Sequence, residues 1–226
     1  MASTHPDIKP NGLNQREIVS LVCMLLRSLQ AICQALDDDA AVPLGGGAGA
    51  GSETYEANVI TALINLSVQD AFGNRFSNGA AMSSTLEDHH IIEPTGISDR
   101  ALLAFMYQFT NAFETLCEQL DTDTLTSSAY ESTCYTPTFL HIIENEKGNQ
   151  VGNGTAFYFR PGGVNPPEVV DWLYNAVYAL SLLTALIDAD ATVTLATYTA
   201  LYYTAMILMR IENSAGSIIG NDSPYM

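Results

Sequence analysis

Apolar side chains recur at i, i+3, i+4 and i+7 spacing from Ile18 through Leu21, Val22, Leu25, Leu26, Leu29, Ile32 and Cys33 to Leu36. Such a stripe belongs to one face of an α-helix. Asn14 and Glu17 in front of it make a capping box, which sets the start. Asp37, Asp38 and Asp39 follow it, where carboxylates oppose the helix dipole, so that end is expected to fray into solvent. A second helix is predicted over 52–72, with Val59, Ile60, Leu63, Ile64, Leu66 and Val68 apolar and Gly73-Asn74 as its stop. The third has Ser98 as N-cap and Asp99 in its first turn, then Leu102, Leu103, Phe105, Met106, Phe109, Phe113, Leu116 and Leu120.

After Leu120 the period changes. Residues 138–143 and 155–159 are β-branched and aromatic, and they flank a run of turn formers from Glu144 to Gly154. That pattern predicts one β-hairpin over 138–159, which needs a surface to lie on because two strands alone are marginal. Helical signals then return. Asn165, Pro166 and Glu168 stand at the N-cap, N1 and N3 positions of a helix that is apolar nearly all round from Trp172 to Ile187. Asp188 to Thr192 makes a turn, and a second apolar helix is predicted over 193–211. Between the elements lie a Gly-rich connector at 40–51 and a long polar loop at 73–96. No repeat recurs at a fixed period. The fold class read from this is mainly α: a single domain over 1–226, a bundle of about five helices with an apolar C-terminal helical hairpin and one inserted β-hairpin. An N-terminal arm (1–13) and a C-terminal tail (212–226) flank it.

Composition narrows the partners. Of 226 residues, 47% are hydrophobic and 15% charged, with 8 basic against 25 acidic side chains and a net charge of −17. High hydrophobicity excludes disorder, and the scarcity of Lys and Arg argues against direct nucleic-acid binding. Cys23, Cys33, Cys117 and Cys134 have no C-x-x-C spacing, so reduced buried thiols are expected. The polar N-terminus has no apolar stretch behind it, so export through a signal peptide is not expected.

Candidate chemistry is sparse. Residues 87–93 hold His89, His90 and Glu93, the one dense set of metal-ligand types. It is a weak metal candidate, because adjacent histidines diverge and Pro94 and Gly96 close the segment. Asp188 and Asp190 have the spacing of a phosphatase nucleophile motif, but no strand precedes them, so a helix–helix turn capped by Asp190 or Thr192 is the plainer reading. Asp37 to Asp39, and Asp121 with Asp123, read as solvated helix ends rather than calcium loops. The Gly45–Gly51 run lacks the Lys-Ser/Thr of a phosphate loop, and His141 reads as a sheet-surface histidine. No catalytic residue and no cofactor is expected.

The expectation is a non-enzymatic structural subunit of a large symmetric assembly, specifically a virus-particle component (capsid, decoration or neck) assembled inside a cell. Its partners would be copies of itself and other structural proteins, met through the arm, the hairpin, the tail and the tyrosines of the last two helices (Tyr174, Tyr178, Tyr198, Tyr202, Tyr203). Two alternatives stand beside it. One is a membrane-associated helical hairpin, for which the second segment is long enough, but which the short first charge-free run and the near absence of positive flanks beyond Arg210 disfavour. The other is a metal-binding module or metal-dependent enzyme around residues 87–93.

Overall fold

A computed structural model describes residues 7–8, 15–39, 55, 59, 66–69, 75–77, 90–92, 97–122, 129–145, 148–154, 157–190, 198–199 and 210–220. In chain order the elements are β1 (Asp7–Ile8), α1 (Gln15–Asp38), β2 (Leu66–Gln69), β3 (Arg75–Ser77), β4 (His90–Ile92) and α2 (Asp99–Thr122). A turn of π-helix (Glu131–Tyr135) follows, then β5 (His141–Glu144), β6 (Gln150–Val151), β7 (Phe157–Phe159), α3 (Pro166–Ala189), β8 (Arg210–Glu212) and β9 (Ile218–Gly220). The described residues are mostly helical, as the periodicity requires, with four helical elements rather than a clear five.

Three expectations are corrected. The helix predicted over 52–72 does not reach its end, because Leu66–Gln69 is a strand; a short apolar run reads equally well in either period. The polar stretch 73–96 is not a plain loop, since it supplies β3 and β4. The helix predicted over 193–211 gives way to strand by Arg210, although Tyr198 and Thr199 are helical. The Gly-rich connector 40–51 and residues 200–209 lie outside the described residues.

The 138–159 segment is also wired differently. β5 pairs antiparallel with β6, but with β7 it pairs in parallel, His141 opposite Phe157 and Ile143 opposite Phe159. Parallel pairing requires the chain to cross from one side of β5 to the other. Two glycines permit this. A Cβ on Gly152 (φ +107°) would sit 1.7 Å from the His141 carbonyl oxygen, and one on Gly154 would sit 2.0 Å from that of Leu140. The crossing is tied by Asn153 N–H donating to the Phe139 carbonyl at 2.7 Å.

The three sheets repeat one plan. Their orders are β3-β2-β4, β6-β5-β7 and β1-β8-β9. In each, a central strand (β2, β5, β8) pairs antiparallel with the next strand and in parallel with a third. The registers coincide: Val68 faces Phe76 and Ile92, Ile143 faces Val151 and Phe159, and Ile211 faces Ile219 and Ile8. The three long helices are all 24 residues. Among the described residues one order of elements therefore recurs three times, strand–helix–helical residues–strand–strand, over 7–77, 90–151 and 157–220, and each stretch is called a unit below. Each unit's first strand completes the sheet of another: β4 that of unit one, β7 that of unit two, and β1 that of unit three. The helix starts Gln15, Asp99 and Pro166 are unequally spaced, 84 and then 67 residues apart, which is why no fixed period is visible.

Burial follows the same triplication. Leu21, Phe105 and Trp172 hold equivalent helix positions and are all buried, as are Leu29, Phe113 and Leu180, and Leu36, Leu120 and Ile187. Trp172 meets Phe105 and Phe109 edge-on, at 5.6 and 5.9 Å between centroids, and donates from Nε1 to Thr110 Oγ1 at 3.3 Å. The indole thus buries its area without leaving its N–H unbonded. Ser98 caps α2 by accepting from Ala101 N–H at 3.2 Å. Asn165 caps α3 by backbone alone, its amide turning to Glu168, because Pro166 and Pro167 remove the first donors.

Candidate functional site

Each long helix has an aspartate as its penultimate residue: Asp37, Asp121 and Asp188. Asp37 and Asp121 are half-buried and Asp188 is exposed, yet all three carboxylates are engaged by backbone N–H groups. Asp37 Oδ1 accepts from Tyr55 N–H at 2.8 Å. Asp121 accepts from Ala129 and Tyr130 with Oδ1 (2.8 and 2.6 Å) and from Glu131 with Oδ2 (3.0 Å). Asp188 accepts from Tyr198 with Oδ1 (2.5 Å) and from Thr199 with Oδ2 (2.9 Å). In unit two the carboxylate at the end of α2 thus caps the start of the π-helical turn, where bare N–H groups and the positive dipole end favour an anion; in the other two it accepts from helical residues, Tyr55 in one and Tyr198 and Thr199 in the other. In unit two the unfavourable position on α2 is offset by the favourable one on the π-helical turn. Tyr55, Tyr130 and Tyr198, whose N–H groups are held, are all buried. Of the two caps expected for that turn, Asp190 is the C-cap of α3, its N–H donating to the Ile187 carbonyl at 3.0 Å, and Thr192 lies outside the described residues. Asp190 is also buried and accepts from the Tyr130 hydroxyl at 3.3 Å.

The titratable groups of unit two are mostly desolvated. Burial pushes the Cys134 thiol up to about 12 and Cys117 well above the usual thiol range, each reinforced by neighbouring acidic groups. Cys23 and Cys33 are buried as well, and none of the four is in a disulfide. Thiols held protonated are poor nucleophiles and poor metal ligands. Burial raises Tyr130, Tyr135 and Glu114, with Tyr135 hydrogen-bonded to Glu114 and accepting from Gly152 N–H at 3.1 Å. His141 is not on a sheet surface. It is 2% exposed, 5.5 Å from the Phe159 ring, and burial lowers it to about 4 against a partial opposing pull from Asp171, so it is neutral at pH 7. Alternation identified the strand correctly but could not say which of its faces is inside.

Of the metal candidates, His90 opens β4, while His89 and Glu93 lie outside the described residues. Among the described residues no three His, Cys, Asp or Glu side chains converge to hold a metal. A pocket of about 240 Å³ lies between the start of α2 and the β7–α3 loop, lined by Asp99, Arg100, Leu103, Pro161, Gly162 and Val164. Its lining offers one acid and one base on an otherwise apolar wall and no nucleophile.

No protein-family model, curated protein or solved structure matches this chain. What stands out from the geometry is a surface rather than a cleft. On α3, Tyr178 is 42% exposed and Ala185 is exposed, with Tyr174, Leu182 and Leu186 half-buried beside them. The Tyr174 and Tyr178 rings stack at 6.3 Å. At the equivalent positions, where Tyr178, Ser181 and Ala185 stand on α3, α1 carries Arg27, Gln30 and Gln34, and α2 carries Asn111, Glu114 and Glu118. At Tyr178 and Ala185 the other two helices are polar, whereas at Tyr174, Leu182 and Leu186 they carry Cys23, Ala31 and Ala35 on α1 and Tyr107, Thr115 and Gln119 on α2.

Proposed function

We propose that the protein is a non-enzymatic structural subunit of a large symmetric assembly, in particular a virus-particle component of capsid, decoration or neck type. The outward face of α3 carries this reading. The other two units act as internal controls at its two exposed positions: Arg27, Gln34, Asn111 and Glu118 keep these positions polar, so the fold does not require Tyr178 and Ala185 there. Tyrosine-rich apolar patches free of charge are what interfaces are built from. With a net charge of −17, copies of the chain repel one another elsewhere, and the charge-free run from Trp172 to Ile187 is where contact meets least resistance. The partners are copies of itself and other structural proteins.

Light scattering behind a sizing column, in detergent-free buffer, tests it. A closed multiple of 24.3 kDa or a larger polymer is expected. Tyr178→Arg with Ala185→Glu, which borrows the residue types of the equivalent positions, is expected to give a folded monomer. A wild-type monomer at high concentration overturns the proposal. One observation favours a second reading: α3 is long and apolar enough to cross a membrane, although 56% of its most apolar stretch is buried inside the protein. A requirement for detergent during extraction would favour that reading instead.

A further inference from the structure

The three units are joined in two different ways. Chain continuity leads from β3 to β4 across residues 78–89 and from β6 to β7 across 152–156, so β4 and β7 are delivered to β2 and β5 by a short local connection. β1 is different. It completes the third sheet on β8, Asp7 opposite Arg210 and Ile8 opposite Ile211, yet no local connection leads from β9 to β1. Among the described residues, the ring of strand donation is closed at this joint by two residues of strand pairing.

We propose that β1 is an exchangeable strand, so that the β8 edge of one copy accepts β1 from a second copy. The ladder is the same whichever copy supplies the strand, since register and neighbours are set by β8. Only the competition between intramolecular closure and protein concentration decides the outcome. A flexibly tethered segment competes with an effective concentration on the order of millimolar, a level that subunits packed side by side also reach. Reciprocal exchange gives a two-fold dimer, and one-way donation gives a ring or filament. The equivalence of β1 to β4 and β7 carries this inference: in both other sheets the third strand is likewise a segment of a different unit. It stands on the topology and does not depend on the α3 face.

Full-length chains carrying Asp7→Cys or Arg210→Cys test it, because partners across a parallel ladder lie within disulfide reach. The two single variants, one with a mass tag, are mixed at high concentration, equilibrated and oxidised. The double variant is oxidised when dilute as a control for closure within one chain. Exchange predicts that disulfide dimers between the two different variants exceed the half expected from random collision, with the excess falling on dilution. A mixture at or below half, or a double variant that does not close, overturns the proposal. If either single variant fails to keep wild-type circular dichroism, Ile8→Cys with Ile211→Cys repeats the test at the next pair of Cα partners.

Discussion

Removing the Asp121 carboxylate tests the capping device at its most heavily used point. In Asp121→Ala, the N–H groups of Ala129, Tyr130 and Glu131 lose acceptors at 2.8, 2.6 and 3.0 Å. Hydrogen bonds to a charged group contribute about 1.5–3 kcal/mol each when fully buried, and N-cap replacements cost about 0.5–2 kcal/mol in total. The site is only partly buried, so water recovers part of the loss, and the expected destabilisation is about 3 kcal/mol. Asp121→Asn should lose about half of that, because one oxygen remains to accept while an NH₂ group faces a donor. Trp172 is the one tryptophan and is fully buried, so its fluorescence during urea unfolding reads the global transition. The midpoint should move and the slope should not. An Asp121→Ala protein within about 0.5 kcal/mol of wild type would refute the claim that this carboxylate holds the π-turn, since ordinary surface substitutions fall in that range.

His141 should confer acid sensitivity. Its folded pKa of about 4 lies below its ordinary 6.5, so the unfolded chain gains a proton that the native core refuses. Stability is therefore lost as pH falls from 6.5 towards 4 and levels off below; at most about 3 kcal/mol is involved, at 1.36 kcal/mol per pH unit. The stability of wild type relative to His141→Leu should fall by up to that amount as pH drops through the window, and parallel curves would contradict the assignment. Gly152→Ala places a methyl against the His141 carbonyl in a left-handed conformation and should destabilise by about 3 kcal/mol or more, whereas Gly148→Ala (φ +80°), with open space around it, should lose only about 1 kcal/mol. Equal melting temperatures for the pair would count against the crossing geometry. The four buried thiols should react with a thiol reagent only as fast as the protein opens, the rate rising with urea; a fast native phase would show one of them accessible.

Helix starts were legible because their chemistry is local. Ser98 and Asn165 stand where they cap, and the apolar stripes end within a turn of the observed helix ends. Strand pairing was not legible. Residues 138–159 contain two β-rich segments, but whether they meet antiparallel or in parallel depends on Gly152 and Gly154 passing over another strand's backbone, a contact that a one-dimensional pattern does not encode. The triplication escaped notice because core equivalents need share only burial, and its connectors differ in length. A signal was present: apolar-x-Pro-x-Gly-apolar followed by Asn or Ser stands before all three helices, at Ile8–Asn14, Ile92–Ser98 and Phe159–Asn165, with an aspartate at the same distance beyond. Asp37 and Asp121 read as acidic helix ends and Asp188 as half of an Asp-x-Asp pair, because their partners lie 8 to 18 residues away in sequence, beyond the reach of local cap rules.

Fusion of three units into one polypeptide changes what a mutation means. In a trimer of identical chains, every substitution arrives three times, and a bulky side chain must find room for two more of itself. Here Leu21, Phe105 and Trp172 share one structural address, and one turn along, Leu25, Phe109 and Ala176 share another; all six are buried. The largest side chain of the first set has the smallest of the second as its neighbour on α3. Volume is thereby traded between layers, so each unit can drift towards a separate duty while the other two preserve the common frame.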